Sequence, residues 1–350
     1  MKRTLAFLLT ALMLLPVFST AGSALPLSAG TQALNARFEN GEIADGYDYV
    51  AFSPVKGETD AVKYPILIWL HGRQSGTYPR AQLQRYEFSN WASDEYQARF
   101  GEAGGCFLFC PRESRSGNND WDSGQCATLK YTIDEYLRMN AAHIDTDRVY
   151  IAGYSTGGTM VWDMLVKYPD FFAAGLPLAA IFQPTSVSQL DKLKNVSLWI
   201  FTSDRDPYII NETADVRPTF DYLAGIAADK TGLRMTSFSE AFFADGSKKT
   251  EYENGVARVA DDAEHYIWEA ATYDMFMADG VTPYVCATTV DAEGRTLRLT
   301  TPGDGVISWL AGRVRKTADG GSAISFLQRL TLLFRRFFSM LREFFGGRFK

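Results

Sequence analysis

The sequence predicts an α/β fold with a mostly parallel, doubly wound sheet, and two observations lead to this class. Continuous apolar runs recur along the chain and end at glycine, proline or polar loops. Such runs are typical of strands buried on both faces, as in parallel sheets. Segments with apolar residues at helical spacing separate the runs, and strands that alternate with helices form a parallel sheet covered on both faces.

The predicted elements follow in order along the chain. Six strands are predicted, at 47–53, 64–70, 106–110, 149–152, 173–180 and 196–201. Helical spacing predicts helices at 129–142 and 159–168. Of the 350 residues, 46% are hydrophobic and 22% are charged. This is the composition of a globular protein, and the chain is long enough to bury its own core.

The start of the chain has the composition of a targeting segment. Lys2 and Arg3 precede an apolar run at 5–17, and small residues follow it. This pattern predicts a secretory signal peptide over residues 1–24. An uncleaved anchor and a buried helix are the alternatives, although the run is short for a bilayer span. We therefore expect a secreted or extracytoplasmic protein whose main domain covers 25–316.

The end of the chain, 317–350, is basic and amphipathic. Apolar residues recur at helical spacing between 326 and 345, and arginines lie on or near the opposite face. The segment has too many charges to span a bilayer, but a basic amphipathic helix suits an anionic membrane surface. We expect membrane-surface contact through 326–345, with packing on the acidic body of the protein as the alternative.

Net charge is distributed unevenly between the body and the ends. The whole chain carries −6, the first 24 residues carry +2 and the residues from 313 onward carry +7, which leaves −15 for the body. Because nucleic-acid binding depends on clustered positive charge, the acidic body argues against a nucleic-acid partner.

A G-x-S-x-G motif marks the candidate nucleophile. Residues 153–157 read Gly-Tyr-Ser-Thr-Gly, after an apolar strand and before a predicted helix. This strand–turn–helix setting is that of a nucleophile elbow, in which glycines allow a strained, tightly packed turn. The motif therefore predicts Ser155 as a nucleophile, with a Gly-rich turn of an ordinary βα unit as the alternative.

A serine nucleophile requires a base, and three histidines compete for this role. His71 ends a buried strand, where a His-Gly pair is typical of an oxyanion loop, and His143 precedes the serine at a helix end. The elbow fold places its partners in the order serine, acid, histidine. Only His265 satisfies that order, so it is the predicted base of Ser155.

The acid is expected in the loop that follows the strand at 196–201. Asp204 and Asp206 both lie there, and we favour Asp206 because it immediately precedes the turn at Pro207. Its carboxylate would fix the tautomer of the base and stabilise the imidazolium.

Two backbone amides are expected to form an oxyanion hole. One is the amide of Thr156, directly after the nucleophile, and the other is that of Arg73, in the loop after His71. The Arg73 side chain is expected either on the surface or against a carboxylate substrate.

Three segments of the chain, two of which contain residues discussed above, resemble a known group of enzymes. Residues 64–72, 147–155 and 168–174 are similar to secreted α/β-hydrolase esterases of the polyhydroxybutyrate-depolymerase and feruloyl-esterase type, related to the prolyl oligopeptidase superfamily. The resemblance extends over about 38–311 and implies the α/β-hydrolase fold. It does not imply a particular substrate, because this fold carries many chemistries.

The resemblance also bears on the acid and the base. An Asp-Asp-Pro-Val-like stretch of the family corresponds to residues 204–209 and supports Asp206. A Gly-His-x-x-Trp-like stretch corresponds to residues 264–268 and supports His265. Glu264 replaces the usual glycine, which leaves the predicted base in place and alters the expected shape of its loop.

Two tryptophans are candidates for substrate binding. Trp121 lies in a loop after a strand, where ligands bind in such sheets, and Trp268 follows the predicted base. We expect either an aromatic wall for a sugar or feruloyl group, or ordinary packing.

The four cysteines at 106, 110, 126 and 286 leave two alternatives, disulfides of Cys126 with Cys110 or Cys106, and buried free thiols. No C-x-x-C pair occurs, and no two histidines are close in sequence. We therefore predict neither a metal nor a cofactor.

Motif and resemblance together predict a serine esterase that hydrolyses small-molecule or polymer esters through an acyl-enzyme, including polysaccharide-linked and polyester substrates. A peptidase of the prolyl oligopeptidase kind and a catalytically silent binding protein are the alternatives.

Overall fold

The structure is a computed structural model, and it describes ten stretches of the chain. They are residues 33–57, 60–73, 87–113, 120–208, 216–240, 246–248, 250–253, 256–259, 263–284 and 286–316. The predicted signal peptide and the predicted amphipathic tail lie outside them.

Ten strands of the described residues form one mixed sheet, and two more form a separate antiparallel hairpin. In chain order they are β1 (Glu39–Glu42), β2 (Asp48–Phe52), β3 (Tyr64–Leu70), β4 (Phe107–Arg112), β5 (Ile144–Tyr154), β6 (Ala174–Leu178), β7 (Ser197–Ser203), β8 (Leu233–Phe238), β9 (Thr250–Glu253), β10 (Val256–Val259), β11 (Ala287–Asp291) and β12 (Thr296–Leu297). The order in the sheet is β1-β2-β4-β3-β5-β6-β7-β8-β11-β12, and β9 pairs with β10.

The centre of the sheet is parallel and its edges are antiparallel. The five pairings from β4 through β8 are parallel. The pairings of β1 with β2, β2 with β4, β8 with β11 and β11 with β12 are antiparallel. The predicted mostly parallel sheet is therefore confirmed, and each of the six predicted strands overlaps an observed one.

Seven α-helices accompany the sheet in the described part of the chain. They are α1 (Asp94–Ala98), α2 (Cys126–Met139), α3 (Thr156–Lys167), α4 (Val187–Leu190), α5 (Arg217–Ile226), α6 (Trp268–Thr272) and α7 (Val306–Ala311). The predicted helices correspond to α2 and α3, each of which begins and ends slightly earlier than predicted.

The core has two halves, one on each face of the sheet. Strand β3 contributes Ile66 and Ile68 to one half and Leu67 and Trp69 to the other, because successive side chains of a strand point to opposite faces. Helices α2, α3 and α5 cover the first half, and α1, α6 and α7 cover the second. Burial on both faces explains why β3 is apolar along its whole length.

The parallel pairing decides where the candidate site lies. Strands β3, β5 and β7 run in the same direction, so the segments after them emerge at one edge of the sheet. Those segments carry His71, Ser155 and Asp206. Residues far apart in sequence are thereby brought to the carboxyl edge, where ligands bind in such sheets.

Candidate active site

Ser155 occupies a sharp turn between β5 and α3. Its φ is 57° and its ψ is −123°, a conformation that non-glycine residues rarely adopt. Its amide donates a hydrogen bond to the Leu178 carbonyl at the end of β6, at 3.0 Å. The Thr159 amide of α3 donates to the Ser155 carbonyl at 3.1 Å. The surrounding strand and helix therefore hold the serine in this strained conformation.

Close packing explains the two glycines of the motif. A Cβ atom on Gly153 would lie 2.6 Å from the Gly157 carbonyl oxygen. A Cβ atom on Gly157 would lie 2.3 Å from the His71 carbonyl oxygen and 2.5 Å from that of Leu70. These neighbours are backbone atoms that cannot rotate away, so α3 can approach β3 and β5 only with glycine at both positions.

A chain of hydrogen bonds joins Ser155, His265 and Asp206. His265 lies at the end of a short 3-10 helix, Ala263–His265, and is buried. Its Nε2 is 2.9 Å from Ser155 Oγ, and its Nδ1 is 2.6 Å from Asp206 Oδ2. With the carboxylate accepting from Nδ1–H, the neutral ring presents an unprotonated Nε2 to the serine hydroxyl. This arrangement can activate the serine as a nucleophile.

The loop after β7 distinguishes the two candidate acids. Asp206 is buried, and its second carboxylate oxygen, Oδ1, accepts a hydrogen bond from the Tyr208 amide at 2.9 Å. Asp204 is exposed to solvent. The structure thus brings Asp206 to His265, as the turn at Pro207 suggests, and leaves Asp204 on the surface.

His71 is buried and links the ends of two strands. Its Nε2 accepts a hydrogen bond from the Glu113 amide at 3.0 Å, so its proton is on Nδ1, which lies 2.7 Å from the Gly72 carbonyl oxygen. Burial lowers the pKa of His71 to about 4, which keeps the ring neutral at physiological pH. His71 is therefore a neutral residue whose two hydrogen bonds stabilise the start of the loop that carries Arg73.

The two predicted oxyanion donors lie in elements that adjoin the nucleophile. Thr156 is the first residue of α3, where backbone N–H groups have no partner within the helix. The loop after β3 packs on the serine turn, since a Cβ atom on Gly72 would lie 3.1 Å from the Ser155 Cβ. Arg73 is next in this loop, and Nη2 of its largely exposed side chain lies 2.5 Å from Asp120 Oδ2. The guanidinium thus has a partner within the protein.

Of the two alternatives for Trp121 and Trp268, the structure has ordinary packing and not an open aromatic wall. Trp121 is 4% exposed and packs edge-on against Tyr47, with its ring centre 5.2 Å from that of His71. Trp268 is 6% exposed and stacks on Tyr154 at 4.4 Å. Both indoles belong to the core, where they have too little open surface to form a substrate-binding wall.

Trp268 nevertheless packs against residues of the candidate site. Its indole is edge-on to the His265 imidazole at 5.3 Å, while Tyr154, its stacking partner, directly precedes Ser155. The pair therefore connects the segment that carries His265 with the turn that carries Ser155.

An exposed aromatic residue beside His265 was not predicted from the sequence. Tyr208 is 48% exposed, and its ring centre lies 4.7 Å from that of His265. Its position two residues after the acid was the available signal. That spacing does not indicate on which side of the loop the ring lies.

Glu264, the departure from the family pattern, lies near a lysine. Its Oε1 is 3.5 Å from Lys248 Nζ, and the carboxylate is mostly shielded from solvent. Glutamate at this position is thus compatible with the contact between His265 and Ser155.

The four cysteines are free thiols in the structure. Those at 106, 110 and 126 are buried, and Cys286 is exposed. Burial raises the pKa of the three buried thiols, so they are poor nucleophiles. Of the two alternatives left open by the sequence, the structure has free thiols, with one of them at the surface.

Metal-binding clusters and membrane-spanning helices are both absent from the described residues. Within these residues, no group of three or more His, Cys, Asp and Glu side chains is placed to hold a metal ion. None of the helices in the same part of the chain is sufficiently long and apolar to cross a membrane.

Comparison with known families places the site in context. Residues 117–209 match the prolyl oligopeptidase family, a segment that includes Ser155 and Asp206. A curated relative, poly(3-hydroxyalkanoate) depolymerase C of Paucimonas lemoignei, is 30% identical over 129 residues, which are 33% of this chain. The chain resembles the α/β-hydrolase esterases of the prolyl oligopeptidase superfamily. The described residues have the mostly parallel mixed sheet of an α/β-hydrolase fold. The matched part spans only 27% of the length of the depolymerase.

Two solved structures show more distant likeness. A thermostable esterase has 24% identity and a TM-score of 0.45, over 55% of this chain and 52% of its own. An acetyl xylan esterase from Aspergillus awamori has 15% identity and a TM-score of 0.35, over 49% of this chain and 74% of its own. Likenesses of this extent do not identify a substrate.

Proposed function

We propose that this protein is a serine esterase that cleaves carboxylic esters through an acyl-enzyme. The observation that carries the proposal is the hydrogen-bonded chain from Ser155 through His265 to the buried Asp206. The strained turn at Ser155 supports it, because it projects the hydroxyl at the N-terminus of α3.

In the first half of the reaction, Ser155 Oγ attacks the ester carbonyl carbon while His265 Nε2 takes the hydroxyl proton. The amides of Thr156 and Arg73 hold the negative charge that develops on the carbonyl oxygen. The C–O bond then breaks, and His265 returns its proton to the leaving alcohol. The products of this half are the free alcohol and an acyl group on Ser155.

In the second half, water replaces the alcohol. The water oxygen attacks the acyl carbon while His265 takes a proton from the water. His265 then gives this proton to Ser155 Oγ as the carboxylic acid leaves. Throughout, Asp206 holds the imidazole in the required orientation and stabilises its protonated form.

An ester is favoured as the substrate because the curated relative is named for depolymerising a poly(3-hydroxyalkanoate), which is a polyester. A small or polymeric ester is therefore the proposed partner, with polysaccharide-linked esters included. Secretion and membrane-surface contact through 326–345 are separate proposals that rest on the sequence patterns at the two ends of the chain.

The test compares the full-length protein with Ser155→Ala on short-chain p-nitrophenyl esters and methyl ferulate. We expect the wild type to hydrolyse at least one ester and the variant to lose this activity. Asp206→Asn should lower kcat on the order of 10⁴-fold, since it presents the wrong tautomer, whereas Asp204→Asn should behave as the wild type. Equal loss in both aspartate variants would contradict the assigned acid.

The second candidate is a peptidase, which the match to the prolyl oligopeptidase family favours. A chromogenic peptide amide, assayed beside the esters, separates the two functions. Serine-dependent cleavage of the amide without ester hydrolysis would favour the peptidase. Activity in neither assay, with a folded protein, would favour a binding role.

A further inference from the structure

One aromatic side chain lies beside the base and remains open to solvent. The Tyr208 ring is 4.7 Å from the His265 imidazole between ring centres, with an interplanar angle of 64°. The residue is 48% exposed, in contrast to Trp268, which is 6% exposed and also packs against this imidazole. Tyr208 thus offers an accessible aromatic surface in direct contact with His265.

The position of Tyr208 is tied to the proposed acid. Its amide donates to Asp206 Oδ1, the carboxylate oxygen that His265 does not use. The backbone of Tyr208 is therefore fixed relative to the hydrogen-bonded chain. A substrate group that packs on this ring would be positioned relative to the imidazole as well.

The chemistry of ester cleavage indicates which part of the substrate approaches this ring. His265 must give its proton to the oxygen of the leaving alcohol, so that oxygen has to lie within hydrogen-bond reach of Nε2. The substituent on the oxygen then extends past the imidazole. A half-exposed ring in contact with the imidazole is placed to meet this substituent.

Resting on the esterase proposed above, we propose that Tyr208 is a specificity-determining residue that binds the alcohol part of the ester and favours aryl-bearing alcohols. Aromatic rings associate in edge-to-face or offset-stacked pairs with centres about 4.5–7 Å apart. An aromatic ring on the alcohol side can adopt such a pair with Tyr208.

The test uses two isomeric esters. Benzyl acetate carries its phenyl ring on the alcohol side and methyl phenylacetate carries it on the acyl side, and methyl acetate serves as the ring-free reference. For Tyr208→Ala we expect kcat/KM to fall about 3- to 10-fold on benzyl acetate and to stay near wild type on the other two esters. Tyr208→Phe should retain the wild-type preference, because it keeps the ring.

A matched control is Tyr131→Ala, which removes a similarly exposed tyrosine (42%) from the outside of α2. It should leave all three rates unchanged. An equal loss on all three esters in Tyr208→Ala would overturn the proposal, because the residue would then support the Asp206 loop without contacting the alcohol. A loss confined to methyl phenylacetate would also overturn it, by placing the ring on the acyl side.

The same assay separates this inference from the proposed function. If the wild type hydrolyses none of the esters and matches Ser155→Ala, the esterase proposal fails and the role of Tyr208 fails with it. If the wild type is active and Tyr208→Ala keeps the same ratio of benzyl acetate to methyl acetate rates, only the role of Tyr208 fails.

Discussion

The buried His71 predicts a specific loss of stability in acid. Its imidazole is 1% exposed, and its two ring nitrogens are engaged by the Glu113 amide and the Gly72 carbonyl. A proton on Nε2 would remove the acceptor that the Glu113 amide requires. It would also place a charge in the core, so protonation of His71 favours unfolding.

The magnitude follows from the two pKa values. Burial lowers the pKa of His71 in the folded protein to about 4, whereas the ordinary value is 6.5. Because the unfolded chain binds this proton more tightly, the contribution of His71 to stability is complete above pH 6.5 and is lost as the pH falls towards 4. The difference between the two values corresponds to about 3 kcal/mol in the free energy of unfolding.

The assay compares wild type with His71→Gln, whose side-chain Oε1 is suited to accept the Glu113 amide without titrating. Urea unfolding at pH 7, 6, 5 and 4 gives the free energy of unfolding of each protein. We expect the variant to be less stable at pH 7, because it loses ring packing. Between pH 7 and pH 4, we expect the wild type to lose about 3 kcal/mol more than the variant.

Equal losses in the two proteins would refute this account of His71. An NMR titration of the histidine Cε1–H signals in the wild type provides a check that does not depend on the variant. The signal of His71 should remain that of a neutral ring down to pH 5, and a midpoint near 6.5 would refute the reasoning.

Three further predictions concern the elbow, the oxyanion loop and the thiols. Gly157→Ala places a methyl group against two backbone carbonyls, so we expect the free energy of unfolding in urea to fall by about 1–3 kcal/mol or more. The control is Gly312→Ala, where a Cβ atom would have no neighbour closer than 3.6 Å, and its free energy of unfolding should stay within about 0.5 kcal/mol of wild type. Arg73→Pro removes the proposed amide donor and should lower kcat about 10²–10³-fold, while Arg73→Ala keeps the amide and should remain near wild type; equal rates in the two variants would contradict the assigned donor. The native protein should react rapidly with a thiol reagent such as DTNB at Cys286 alone, with the three buried thiols reacting only after unfolding; fewer than four thiols in the unfolded, unreduced protein would indicate a disulfide.

Much of the fold could be predicted because its signals are local. The run at 64–70 is apolar at every position, and this alone indicates a strand with both faces covered. Strands β1, β11 and β12, which lie at the two ends of the sheet, were missed because they are partly exposed and short, so their residues carry no continuous apolar pattern. Helix α5 was also missed, although Pro218 in its first turn is a recognised start signal.

The tight turn at Ser155 and the order of its predicted partners can be read from the amino-acid sequence. The turn at Ser155 needs small residues at particular positions, so its geometry is recorded in the motif. Of the three histidines, only His265 follows Ser155 in the chain, and this order was enough to select it as the predicted base. These features are readable because each depends on neighbours in the sequence or on simple order along the chain.

Which side chains are buried at the site depends on the three-dimensional fold and could not be predicted from local patterns. Trp121 and Trp268 were candidates for an open wall, but their partners Tyr47 and Tyr154 lie more than 70 and more than 110 residues away in the sequence and enclose them in the core. Tyr208, which belongs to no motif, is instead the exposed aromatic residue beside His265. Burial depends on contacts between distant segments, and no local pattern records which segments will meet.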